Sequence, residues 1–192
     1  IETAASLRMI HNLTVIRPGD ANEVKEAWIA AMQNQTGPTA LLLTRQGLPT
    51  LDRSVYPSAS GLHQGAYTLW QSGEGSPDIL LIATGSEVEL ALNAAEKLAE
   101  EAVNVRVVSM PSCELFEQQD GAYQESVLPD ACDLRVAIEA GTSFGWERYV
   151  GRKGAMICKD DFGASGPYTV LLEKFGFTVE RVVDAAHNLL KG

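Results

Sequence analysis

Gly37-Pro-Thr-Ala-Leu-Leu-Leu-Thr-Arg-Gln46 is a short apolar run closed by Gly37-Pro38 on one side and Gly47 on the other. Bounded so tightly, Thr39 to Thr44 reads as a buried strand of a parallel sheet with both faces covered. Open parallel sheets receive ligands outside the carboxyl ends of their strands, which is where this run delivers Arg45. The planar five-donor fork of an arginine suits a phosphate or a carboxylate. It also suits an ion pair with a surface acid, which is the reading position alone favours.

Upstream, Glu2 to Arg8 has helical character, and His11-Asn-Leu-Thr-Val-Ile16 alternates toward Arg17-Pro18 as a strand that Pro18 stops. Asp20 and Glu23 then resemble the start of a capped helix, with Val24, Ala27, Trp28 and Ala31 on one face and Gln35-Thr-Gly37 as its end. Strand, helix and strand make one crossover unit, expected to be right-handed.

Downstream, Pro49, Pro57 and Gly61 among serines mark an exposed connection, and the domain boundary is placed there, giving domains of residues 1–55 and 56–192. Ala66 to Trp70 alternates weakly, as an edge strand would. Ile79-Leu-Leu-Ile-Ala-Thr84 is a second buried-strand run and leads into a helix. Ser86 and Glu89 have the spacing of a full capping box, and Val88, Ala91, Leu92, Ala95, Leu98 and Ala102 share one face. Val105–Ser109, Leu134–Ile138 and Gly154–Cys158 read as three further strands. Helical turns are expected near Leu115, Tyr123 and Trp146, and two helices at the end, the last with Val179, Val182, Val183, Ala186 and Leu190 aligned. Strands alternating with helices specify an α/β fold with helices on both faces of the sheet.

A hydrophobic fraction of 45% over 192 residues is enough for an ordinary core. No apolar run has the roughly 20 residues of a membrane span, and the first residues lack the pattern of a signal peptide, so the expected location is cytoplasmic and no membrane partner is expected. A net charge of −10 argues against a nucleic-acid-binding surface. Cys113, Cys132 and Cys158 are odd in number and widely spaced, without a Cys-x-x-Cys, so neither a disulfide framework nor a zinc site is indicated. His11, His63 and His187 share no ligand spacing either.

Three further segments invite a chemical reading and receive a plainer one. Thr84-Gly-Ser-Glu87 sits at a strand-to-helix turn where an anion is held in some folds, but Glu87 and Glu89 would repel it, so helix capping is expected. Glu139-Ala-Gly-Thr-Ser-Phe-Gly-Trp-Glu147 carries two acids after a strand and reads as a solvated loop. Asp160-Asp161 offers too few oxygens for a hard cation and reads as surface. The residues show no complete catalytic set.

Longer blocks carry a resemblance. The strand ending in Arg45-Gln46 resembles the (L/A)-S-R-Q segment of transketolases. The likeness continues through Ala5-Ser-Leu-Arg8, Arg17-Pro18 with Asp20, Ile82 to Leu90, Arg106 to Ser112 and Glu125-Ser-Val-Leu128. It ends with Glu139-Ala-Gly141, Phe162-Gly-Ala-Ser165 and Phe175-Gly-Phe177, so it covers nearly the whole chain. Departures are modest: Thr44 stands where Ser is usual, Gly47 where Asn or Lys often stands, and Leu62-His-Gln-Gly65 where Arg-Gly or Lys-Gly is common.

The resemblance implies the last part of a pyrimidine-binding domain with a partial parallel sheet, followed by a Rossmann-like three-layer α/β/α carboxyl-terminal domain. Residue 1 is Ile, and the likeness begins just after that family's Thr-His-Gln-Pro segment, so a fragment is expected. The parent would transfer a two-carbon ketol unit between sugar phosphates, using thiamine diphosphate with Mg2+ or Ca2+, as a homodimer. Arg45 would bind the sugar phosphate. Catalytic, cofactor-binding and metal-binding residues would lie in segments outside this chain, leaving it inactive alone. Alternatives are a related thiamine enzyme such as dihydroxyacetone synthase, or a non-catalytic α/β module for dimerisation or regulation. Without the rest of its sheet, the first segment is expected to expose apolar surface.

Overall fold

The computed structural model describes all of residues 1–192. Its first unit is a helix α1 (Thr3–Arg8), a strand β1 (Thr14–Ile16), a helix α2 (Ala21–Gln33) and a strand β2 (Thr39–Leu41). β1 and β2 pair in parallel with Ile16 opposite Leu41, as the strand–helix–strand pattern requires. β2 is shorter than the apolar run and only half-buried, and Leu43 beyond it is exposed. The expectation of a strand covered on both faces is therefore corrected: a sheet of two strands gives β2 one neighbour and leaves its other edge open.

Asp20 caps α2, its Oδ1 accepting from the Glu23 amide at 2.7 Å, and Glu23 reaches back to the Gly19 amide. The buried face of the helix is Glu23 and Ala27, whereas Trp28 is 55% exposed. Periodicity placed Trp28 inward; the inward direction is set instead by Glu23, which docks on the second unit.

A 3-10 segment of about two turns, Ala59–Gln64, precedes the second sheet, and nothing in the sequence pattern announced it. The sheet comprises β3 (Tyr67–Gln71), β4 (Ile79–Ala83), β5 (Val105–Ser109), β6 (Arg135–Ile138) and β7 (Ala155–Ile157), in the order β3-β5-β4-β6-β7. β3 is an antiparallel edge strand and the rest run parallel. Both faces of β4 are buried: Ile79, Leu81 and Ala83 pack beneath α3 (Glu87–Glu100) and α8 (Val179–Leu190). Leu80 and Ile82 pack on the other side with α4 (Cys113–Glu117), α5 (Gly121–Val127) and α6 (Glu147–Val150). A further helix, α7 (Tyr168–Phe175), precedes α8. The three-layer α/β/α arrangement follows from those two apolar faces.

The face predicted for α3 is buried from Val88 through Leu98, but Ala102 lies beyond the helix with φ of 64°. The capping box is absent. Ser86 has helical dihedrals and its hydroxyl donates to Glu87 Oε1 at 2.6 Å, because a capping side chain needs an extended backbone that Ser86 does not have.

Candidate functional site

Arg45 follows β2 on the side where the second sheet presents the carboxyl ends of β4 and β6. It is exposed and makes no hydrogen bond or ion pair, while its neighbour Thr44 donates its hydroxyl to Gln46. It lines a cleft of ≈ 390 Å³ together with Arg17, Gly85, Ser86 and Ala140. From β4 the chain runs outward to β5 and then crosses back to β6, so the gap between β4 and β6 is the topological switch point of the sheet. Doubly wound folds bind ligands there.

Here that crevice is filled from within. Arg17, the residue after β1, extends its guanidinium across it. Nη2 lies 2.8 Å from Glu87 Oε2, and Nη1 donates to Glu139 Oε1 at 3.1 Å and to the Thr84 carbonyl at 3.5 Å. Arg8 from α1 donates to both oxygens of Glu139 at 2.8 Å, and the Trp146 indole donates to Glu139 Oε2 at 2.7 Å. Glu87 also accepts from the Ala140 amide at 2.9 Å. Gly85, with φ of 59°, has no room for a side chain, since a Cβ there would sit 2.9 Å from Arg17 Cγ and Nε.

Glu139 is 1% exposed. Burial raises its pKa, but the hydrogen bonds and charge of Arg8, the charge of Arg17 and the Trp146 bond outweigh that and hold it below the usual carboxylate range. The Arg8 guanidinium is lowered by burial and raised more strongly by Glu139. Two guanidinium groups thus meet two carboxylates, and the network is neutral. Of the two cations lining the cleft, Arg17 is engaged and Arg45 is free. A second cleft of ≈ 330 Å³ beside α1 offers no free cation: Arg8 belongs to Glu139, and Arg148 is paired with Glu117.

One reading from sequence is corrected here. Glu139 is no solvated loop residue but a buried anion joining two units, and Glu87, in the first turn of α3 as expected, turns inward to Arg17. A signal was available: Glu139 directly follows the apolar strand Val136-Ala-Ile138, where a sheet of this kind presents its chemistry. Glu147, by contrast, bonds only the Gly145 amide. Asp160 accepts from Thr142 and Ser143 at the surface, as expected.

A second joint also escaped the sequence. Glu23, 2% exposed, accepts from Tyr67 Oη, Ser109 Oγ and the Gly19 amide, each at 2.7 Å. Burial raises its pKa against the opposing effect of those bonds. Beside it Asp20 takes both oxygens to Arg53 of the connection, at 3.0 and 2.9 Å. The cysteines are unpaired, and burial pushes Cys113 up to about 11 and Cys158 up to about 12, so neither is poised as a thiolate nucleophile.

Fold and site define a class: a two-unit α/β protein whose joint is an internal ion network and whose cleft presents one unpaired arginine. The chain belongs to the transketolase family. Residues 65–178 match the transketolase-like TK C-terminal domain, and residues 1–50 match the transketolase pyrimidine-binding domain. It is 50% identical over 184 residues to the transketolase of Aquifex aeolicus, covering 96% of this chain and 27% of that protein. The transketolase structure from Leishmania mexicana superposes with a TM-score of 0.91 at 41% identity, over 100% of this chain and 27% of that one. A Pichia stipitis transketolase solved in complex with sedoheptulose 7-phosphate gives 0.90 at 36% identity, over 100% of this chain and 27% of that one. The chain therefore spans about a quarter of the length of these relatives, whose family depends on thiamine diphosphate.

Proposed function

We propose that this chain is the carboxyl-terminal part of a transketolase, with residues 1–55 completing a pyrimidine-binding domain and opening the linker, and residues 56–192 forming the carboxyl-terminal domain. The whole enzyme transfers a two-carbon ketol unit from a ketose phosphate to an aldose phosphate. Arg45 holds the sugar phosphate by charge-assisted hydrogen bonds, so that the reacting carbon is presented in register. The observation that carries this reading is the isolation of Arg45: it is the unpaired cation of a cleft at strand carboxyl ends, beside an arginine already neutralised by acids.

Thiamine diphosphate, with Mg2+ or Ca2+, supplies the carbanion-stabilising chemistry when bound. The residues of this chain do not fit as its holders. No group of three or more His, Cys, Asp and Glu side chains stands together to take a metal ion. The strand-to-helix turn at Thr84–Glu87, where a diphosphate would be sought, is committed to Arg17 through an acid. The chain alone is accordingly expected to be inactive, and its contribution is to bind and orient substrate.

The enzyme is read as a cytoplasmic homodimer. Met9, Ile10, Trp28, Met32 and Leu43 of the first unit are all more than half exposed, an apolar surface for the rest of the pyrimidine-binding domain or a partner copy to cover. No helix is long and apolar enough to cross a membrane. The net charge of −10 disfavours nucleic acid as a partner.

The test is ketol transfer by the full-length enzyme and its Arg45→Ala variant. Losing a charge-assisted phosphate contact costs about ten- to a hundredfold in kcat/KM with a phosphorylated donor. The loss is expected to shrink with an unphosphorylated ketose. An equal loss with both donors would remove Arg45 from the phosphate site.

A further inference from the structure

The switch-point crevice between β4 and β6 is where a doubly wound sheet would bind a ligand of its own, yet the first unit fills it with Arg17. We propose that Arg17 is a positioning residue for Arg45, fixing where the phosphate-binding guanidinium stands over the cleft. The inference rests on the phosphate-binding reading of Arg45 given above.

Arg17 is held at both side chain and backbone. Its amide donates to the Pro111 carbonyl at 2.8 Å, its carbonyl accepts from the Gly85 amide at 3.0 Å, and its guanidinium bridges Glu87 and Glu139. The residue immediately before it, Ile16, is opposite Leu41 in the parallel pair and accepts from the Leu42 amide at 2.9 Å. From Leu42 the chain runs through Leu43 and Thr44 to Arg45, which makes no bond of its own. The position of Arg45 is thus inherited along β1 and β2 from the clamp at Arg17.

Charge points the same way. Arg8 and Arg17 balance Glu87 and Glu139, so the floor of the cleft is neutral and Arg45 is the one uncompensated cation that this chain offers there. The planar fork matters as well as the charge, because Arg17 reaches three acceptors on two segments: Thr84 and Glu87 at the turn after β4, and Glu139 after β6. A lysine ammonium on a flexible stem keeps the charge and loses that bridging geometry.

The test uses the full-length enzyme with Arg17→Lys, Arg17→Ala and, in parallel, Arg45→Ala. The quantity read is the ratio of kcat/KM for a phosphorylated ketose donor to that for an unphosphorylated one. Partial unfolding lowers both constants equally and leaves the ratio fixed, so a merely structural role cannot move it. A misplaced phosphate seat is expected to lower the ratio about ten- to a hundredfold in Arg17→Ala and by less in Arg17→Lys, chiefly through KM for the phosphorylated donor. If Arg45→Ala lowers the ratio and neither Arg17 variant does, the positioning role is overturned and the phosphate role survives. If Arg45→Ala leaves the ratio unchanged, both readings fall.

Discussion

Glu139 accepts four hydrogen bonds, from Arg8, Arg17 and Trp146, at a position with 1% of its surface exposed. Removing the charge leaves Arg8 without its carboxylate and Arg17 with Glu87 alone, and breaking a buried pair costs about 3 to 5 kcal/mol. Glu139→Gln is expected to be destabilised on that scale at neutral pH, by urea unfolding. The pH dependence has a defined sign. The folded-state pKa lies below the unfolded value of about 4.3, so the unfolded chain binds more protons between them. The stabilisation is complete above that unfolded value and is lost as pH falls through the depressed folded one. Below about pH 4.3 the gap between parent and Glu139→Gln should therefore narrow; a gap unchanged there would mean the charge is not what stabilises. Arg45 shows the complementary case: sequence placed it at a strand end, but whether it pairs with a neighbouring acid depended on which acids the fold brings near, and the fold commits Glu87 and Glu139 elsewhere.

At the scale of elements, β4 and α3 were legible because their patterns are long and unambiguous: an apolar run flanked by a turn, then a periodic face. The start of α3 was not, since Ser86 and Glu89 have the capping spacing while Gly85, at φ of 59°, delivers Ser86 in a conformation that cannot cap. The 3-10 segment Ala59–Gln64 has no periodicity to detect, and it ends at Gly65 with φ of 82°. A Cβ on Gly65 would fall 2.0 Å from the Phe116 amide nitrogen and 2.4 Å from the Ser112 carbonyl oxygen. Both obstacles are backbone, so neither can rotate away. Gly65→Ala should cost well over ~1 kcal/mol, measured as a fall in the urea midpoint. A variant of parental stability would show that the α4 backbone yields to the methyl group.

The whole molecule is two units joined by the Arg8–Glu139–Arg17–Glu87 network on one side and by Glu23, Asp20 and Arg53 on the other. The second unit has apolar cores on both faces of its sheet, while the first has only Ile16 and Ala27 in a small cluster with Leu62 of the 3-10 segment. Local stability should differ accordingly. In Glu139→Gln the Leu42 amide, bonded to Ile16, is expected to exchange its hydrogen faster while the Leu81 amide in β4 keeps its protection. Equal acceleration at both would mean that the two units open together. The sequence by itself determined the α/β alternation, the strand and helix positions, the family likeness and the placing of Arg45 at a strand end, because periodicity and turn residues act over short range. Only the tertiary structure decided that Glu139, Glu87 and Glu23 are buried partners and that Trp28 faces outward. An acid has the same local pattern whether it meets water or, as Glu139 does, an arginine 131 residues away in the chain. Which one it meets is settled when the two units dock.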